Sequence, residues 1–251
     1  GSLSNQLGVA LQTRPGTEVL CDWQAHIARA EMGAHGALHG VTMRTWPSVR
    51  GLALVSDIAA MLAPDAGPYL VSTTCVALEN THNFGGGTIQ PIEHLESVHR
   101  LCRDAGVGLH LDGARLWNAH VETGVALATY GRLFDTVSVC YSKGMGAPVG
   151  SVLVSSAENI ARARVLRKRL GAGWRQAGIL AAGCLYALDH NLAGLADDHA
   201  AARAFATQIA QRAPRAVDLD TVVTNIVVVD TGERSGAEIA HAAFDRGVAV
   251  S

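Results

Sequence analysis

The chain has 251 residues, 49% hydrophobic and 17% charged, with a formal net charge of −2, enough for a large buried core in one large domain or one large and one small. It has no basic block interleaved with aromatics, which argues against a nucleic-acid surface. It also has no apolar run of about 18 residues and no basic-then-apolar start, so a soluble, cytoplasmic protein with no membrane partner is expected.

Five cysteines (Cys21, Cys75, Cys102, Cys140, Cys184) are widely spaced and form no CxxC pair. They read as small core residues in a reducing compartment, so no disulfide framework and no metal site are expected.

Short runs rich in Val, Leu and Thr alternate with segments of helical period, the pattern of parallel strands joined by crossover helices, and the fold class is therefore α/β. The predicted strands are 18–22, 41–46, 71–79, 107–112, 136–141 and 151–156. Most are nearly continuous in apolar residues, as a sheet covered on both faces requires. Residues 91–106 begin with Pro91, end with Gly106 and carry Leu95, Val98, Leu101 and Cys102 on one stripe, which predicts a helix.

Beyond residue 156 three helices follow one another, over 157–171, 174–192 and 195–213. Then come a predicted strand at 222–230, a helical stretch at 238–247 and a short apolar GVAV at 247–250. This divides the chain into a large domain over 1–190 and the beginning of a smaller C-terminal α/β domain over 191–251, whose last elements are expected to be missing.

In an open α/β sheet, ligands sit beyond the carboxyl ends of the strands. Three predicted strands run into polar clusters there: NTHNFGGG at 80–87, DGARLWNAH at 112–120 and SKGMG at 142–146. Lys143 is one of only two lysines against eighteen arginines, yet it lies between two apolar runs. A lysine for a Schiff base and a carboxylate for a pyridinium nitrogen are what pyridoxal phosphate needs from a protein, and Lys143 with Asp112 supplies both.

Taken alone, Asp112 also reads as a helix N-cap, and His26 and His82 as loop histidines. Lys168, in the arginine-dense RARVLRKRL, reads as a solvated or subunit-contact residue. The glycines of FGGG and GMGAPVG serve either as turns or as close approaches to a ligand.

The segments LENTHN (78–83), HLDGARLWNA (110–119), SVCYSKGMGAPVGSVLV (138–154) and RKRLGAGWRQAGILAA (167–182), with CDWQAHI near the start and TNIVVVD near the end, resemble the L-threonine aldolase family of low specificity. That family belongs to the β-eliminating lyase group of fold-type-I pyridoxal-phosphate enzymes. The resemblance implies a fold-type-I large domain with a mostly parallel sheet and covering helices.

Residue by residue it implies that Lys143 carries the cofactor, Asp112 pairs with its ring nitrogen and His26 stacks on the ring. Arg115 would hold the substrate carboxylate with its fork-shaped guanidinium. Arg175 and Lys168 match basic positions near the cofactor phosphate, reaching a neighbouring subunit's site, and Gly1 with Ser2 matches the pair that meets that phosphate at a helix N-terminus. The implied assembly is a homotetramer of dimers with shared active sites.

Tyr69 stands where several family members carry a histidine near the substrate hydroxyl. The family's opening segment and its C-terminal part, with a second carboxylate-binding arginine, are not found, so the functional polypeptide is expected to extend beyond both ends.

The reaction expected on this basis is cleavage of a β-hydroxy-α-amino acid, such as L-threonine or L-allo-threonine, to glycine and an aldehyde, acetaldehyde from threonine. His26 or His82 is the candidate base for the hydroxyl proton. The alternatives are another pyridoxal-phosphate lyase or racemase acting on a small amino acid, and a non-catalytic relic of the fold. A dinucleotide-binding reading of GMGAPVG and GAGWRQA fails because neither has GxGxxG spacing early in a βαβ unit.

Overall fold

The computed structural model describes residues 1–250. In chain order the elements are α1 (Ser2–Ala10), β1 (Glu18–Asp22), α2 (His26–Arg29), α3 (Ala34–His39), β2 (Thr42–Trp46), α4 (Val55–Met61), β3 (Thr73–Glu79) and α5 (Ile92–Ala105). Then follow β4 (Gly108–Gly113), α6 (Leu116–Thr123), α7 (Leu127–Leu133), β5 (Thr136–Cys140) and β6 (Ser151–Ser155). The chain finishes with α8 (Ala157–Arg169), α9 (Gly178–His190), α10 (Leu195–Arg212) and α11 (Gly236–Phe244).

The six strands form one sheet in the order β2-β1-β3-β4-β5-β6. All neighbours pair in parallel except β5 and β6, which are antiparallel. β1, β3 and β5 are buried or nearly buried along their whole length, which is why their sequences lack alternation. The order reverses between β1 and β3, and the carboxyl ends of β1, β3, β4 and β5 lie along one edge of the sheet.

Side chains alternate faces along a strand, and β4 uses this to separate two chemistries. Leu109 and Leu111 point to one side and belong to the main hydrophobic core. His110 and Asp112 point to the other, where Asn5 of α1 touches both. α1 packs on β4, β5 and β6 and against α3 and α8, while α5 packs on β4 with α4 and α7 beside it.

The predicted helix over 91–106 is α5, bounded by Pro91 and by Gly106 in the left-handed region, with Leu95, Val98 and Cys102 buried. The three predicted late helices are α8, α9 and α10. They bury little: Ala163 alone in α8 and Ala187 alone in α9 are fully buried.

The predicted strand at 222–230 is corrected to an irregular extended segment. A strand needs a partner for its backbone groups, and no strand among the described residues lies beside it. The segment is tied instead by side chains: the Thr224 hydroxyl donates to the Gly87 carbonyl, and Val222 joins Ala206 and Val217 in a second, small apolar cluster. The GVAV stretch forms no strand either. Among the described residues no single helix is long and apolar enough to cross a membrane.

Candidate active site

β1 and β3 end on buried carboxylates, Asp22 and Glu79, and β4 carries a third, Asp112, one residue before its end. A carboxylate in a water-poor interior requires compensating donors, and these come from the adjacent loops and from α1.

Glu79 Oε2 accepts the His26 backbone N–H at 2.8 Å and Oε1 accepts the Asn83 N–H at 2.7 Å, so this one side chain fixes both the start of α2 and the turn after β3. Burial, and then the neighbouring Asp112 charge, raise the Glu79 pKa above its ordinary value. Asp112 Oδ1 accepts the Ala114 N–H at 3.1 Å, while Oδ2 accepts Asn5 Nδ2 at 2.7 Å and lies 3.9 Å from His26 Nδ1. His26 Nδ1 is 3.2 Å from Glu31 Oε1. That hydrogen bond is the main reason its pKa is raised; burial opposes it, and the Asp112 charge adds to it.

Arg115 follows β4 at the start of α6 and donates from Nη1 to Asn83 Oδ1 at 2.6 Å. Its guanidinium is partly buried facing Glu79 and Asp112, and burial lowers its pKa somewhat despite their attraction. Lys143 lies in the turn just beyond β5, with an exposed side chain, on the same edge of the sheet. The turn is held by the Gly146 N–H donating to the Lys143 carbonyl.

Gly1 and Ser2 open α1 at the same end, and the Gly1 nitrogen donates to Cys140 Sγ at 2.7 Å. The amides of the first helical turn have no acceptor inside the helix and so can meet an anion.

Tyr69, Lys168 and Arg175 are placed away from this cluster, whereas His82 is buried beside it. His82, a candidate base, is 1% exposed; its Nδ1 accepts the Gly85 N–H, and its Nε2 lies 3.2 Å from Asp22 Oδ1 and 3.8 Å from Glu79 Oε2. Burial works against its charge, but the Asp22 hydrogen bond and the Glu79 charge outweigh it and raise its pKa. Tyr69 lies on the far side of the sheet from the cluster. It is 94% exposed and lies before β3 begins, at the amino end of that strand, whereas the cluster stands at the carboxyl ends. Lys168 and Arg175, at the end of α8 and in the turn that follows, are exposed, and their side chains make no hydrogen bond or ion pair among the described residues.

Sequence reasoning missed Asn5, Glu31, Glu79 and Asp22. Asp22 and Glu79 end their strands and Asp112 stands one residue before the end of its own, so the same strand-end signal was present. Asn5 and Glu31 sit on helices and loops with no such marker.

The family model of the β-eliminating lyases matches residues 1–232. The chain belongs to that family. A probable low-specificity L-threonine aldolase 2 of Arabidopsis thaliana is 40% identical to this β-eliminating lyase over 243 residues, which cover 95% of this chain and 68% of that one. Across the similar proteins the chain spans from 47% to 74% of their length.

Among solved structures, a Leishmania major threonine aldolase superposes with a TM-score of 0.76 at 26% identity, over 84% of this chain and 62% of that one. A Thermus thermophilus aspartate aminotransferase superposes with a TM-score of 0.73 at 14% identity, over 100% of this chain and 65% of that one; at that identity the likeness is one of fold. The lyase therefore has the fold of the fold-type-I pyridoxal-phosphate enzymes.

Proposed function

We propose that this protein is a pyridoxal-phosphate-dependent aldolase that cleaves L-threonine or L-allo-threonine to glycine and acetaldehyde. The observation that carries the reading is the convergence, on one edge of the sheet, of the Asp112 carboxylate, the His26 imidazole, the Arg115 guanidinium and the Lys143 amine. The names of the similar proteins support it.

The donor set fits the cofactor. Lys143 provides a primary amine for its aldehyde, and Asp112, 3% exposed and oriented by Asn5 and Ala114, provides a fixed negative charge for its ring nitrogen. His26 provides a flat ring beside that carboxylate, and the first turn of α1 at Gly1 and Ser2 provides amides for its phosphate. Bound there, the cofactor supplies an electron sink for the bond broken at the substrate's Cα.

The protein's own contribution is positioning. Arg115, anchored through Asn83, keeps N–H groups free for the substrate carboxylate and so sets which bond at Cα faces the ring. His26 has its Nδ1 committed to Glu31 and its Nε2 without a partner among the described residues, which makes it the histidine able to exchange a proton with the substrate hydroxyl.

We further read the exposed apolar side chains Trp174, Ile179, Leu185 and Tyr186 as subunit contacts of a homotetramer, through which Lys168 and Arg175 reach a neighbour's phosphate site. The separate apolar cluster of Ala206, Val217 and Val222 supports a small domain beginning near residue 191.

The test is borohydride reduction in the presence of pyridoxal phosphate, peptide mapping, and an assay of acetaldehyde release from L-threonine. The pyridoxyl group is expected on Lys143 and lost in Lys143→Ala but kept in Lys168→Ala. Labelling of Lys168 instead, or no aldehyde from the full-length enzyme, would overturn the proposal.

A further inference from the structure

Behind His26 and Asp112 lies a layer of buried polar groups. Glu31, in the loop after α2, has a side chain with 0% exposure. It accepts Asn5 Nδ2 at 2.8 Å and Gln6 Nε2 at 2.9 Å from α1 and pairs with His26 Nδ1 at 3.2 Å from α2, while His35 Nε2 of α3 lies 3.2 Å away. A buried carboxylate has about four acceptor sites to satisfy, and one of the groups that satisfy them here is the ring at the centre of the site.

Asn5 has only two amide hydrogens, and its Nδ2 lies within hydrogen-bond distance of two acids, Glu31 at 2.8 Å and Asp112 at 2.7 Å. Its orientation is forced from behind. His110, fully buried, has its pKa pushed down to about 4 by burial and so stays neutral; its Nε2–H donates to Asn5 Oδ1 at 3.1 Å while Nδ1 meets the Thr136 hydroxyl at 2.8 Å. The amide therefore cannot flip without breaking three contacts.

The ligand atoms of His26, Glu31 and Asp112 lie within 4.8 Å of one another, the spacing of a metal site. With an amide hydrogen already directed at each carboxylate, however, the cluster is organised around protons.

We propose that Glu31 is a positioning residue that fixes the ring of His26 with its Nδ1–H on the Glu31 carboxylate, and that Asn5 couples this setting to Asp112. The assignment rests on the cofactor-site reading for its purpose but not for its geometry. Glu31 holds the imidazole in one tautomer and one plane, leaving Nε2 directed away from the network. Three acids face His26: Glu31 from the loop after α2, Asp112 from β4 and Glu79 from β3, the last through the His26 backbone N–H.

The test is nitrogen-15 and carbon-13 NMR of the histidine rings in the protein without cofactor, with His26 assigned by its disappearance in His26→Asn. In the unsubstituted protein neutral His26 is expected as the Nδ1–H tautomer; a majority of the Nε2–H tautomer would overturn the proposal, and this measurement needs no variant to fold. In Glu31→Gln the His26 pKa is expected to fall by about one unit, a tenfold loss in proton affinity, the lower end of what a close opposite charge produces. Glu31→Asp, which keeps the charge, should recover part of the shift. An unchanged His26 titration in Glu31→Gln would also overturn the assignment. Because no cofactor is present, these results stand apart from the borohydride labelling: either can fail while the other holds.

Discussion

Gly51 lies directly against the imidazole of His82: a Cβ at Gly51 would come within 2.2 Å of His82 Cγ, and the glycine itself holds φ +77°, in the left-handed region. The Gly51 carbonyl also accepts Gln90 Nε2, so neither the backbone nor the ring beneath it has room to yield. Gly51→Ala is expected to destabilise the fold by about 2 to 5 kcal/mol, combining the left-handed conformation of a residue with a side chain and the overpacking of a filled interior. Gly67→Ala, at φ +71° with nothing within 4 Å, should show only the smaller conformational part. Urea midpoints at constant slope measure both; equal losses would mean that the contact with His82 carries no strain.

Asp112→Asn keeps the shape of the side chain and removes its charge. Turnover of threonine in the full-length enzyme is expected to fall by about 10²- to 10³-fold, the scale of losing one preorganised electrostatic partner, while borohydride still fixes the cofactor on Lys143. Near-normal turnover would place the partner of the ring nitrogen elsewhere.

Arg115→Ala removes a charged hydrogen-bond donor from the substrate carboxylate, worth about 1.5 to 3 kcal/mol, so KM for threonine should rise about 10- to 100-fold. Arg115→Lys restores the charge but not the fork and should recover only part of this. An unchanged KM in Arg115→Ala would remove Arg115 from substrate binding.

Stability should have an acid and an alkaline edge set by the same pairs. Burial alone would raise the Glu31 pKa, but its hydrogen bonds to His26, His35, Asn5 and Gln6 carry it well below the ordinary 4.5. Its contribution is therefore complete above about pH 4.5 and lost progressively as the pH falls below it. His26 has a pKa raised above the ordinary 6.5; its contribution is complete below that value and lost as the pH rises through the folded-state value. Unfolding free energy is thus expected to plateau between these limits and fall on both sides. In Glu31→Gln the deficit relative to the unsubstituted protein should shrink as the pH drops below 4.5. A deficit independent of pH would show that Glu31 is not an ionised carboxylate in the folded state.

The fold was legible because burial on two faces leaves a strong trace. The predicted strands at 18–22, 41–46, 71–79, 107–112, 136–141 and 151–156 coincide with β1 to β6 within two residues at either end, since a covered strand must be apolar throughout. The antiparallel direction of β6 was not legible: both directions satisfy the same composition, and only the short turn through Gly144, Gly146 and Gly150 decides that the chain reverses. The stretch 222–230 failed for the opposite reason. Its apolar run met the requirement for a strand, but a strand is a relation between two segments, and here the second segment is absent among the described residues.

The sequence by itself determined which chemistry could be assembled: a lysine, an aspartate and an arginine placed after apolar runs reach one edge of the sheet once those runs pair in parallel, as β4 and β5 do. It could not separate His26 from His82, since both are histidines in polar loops near strand ends. The tertiary structure separated them by what surrounds each ring. His82 is enclosed by Gly51, Gly85 and Asp22, whereas His26 has one nitrogen bound to Glu31 and the other without a partner among the described residues. Asn5 and Glu31 were equally beyond the sequence, because their role is to share two amide hydrogens between carboxylates 81 residues apart in the chain, Glu31 and Asp112, and distance along a sequence carries no information about which polar groups will meet once water is excluded.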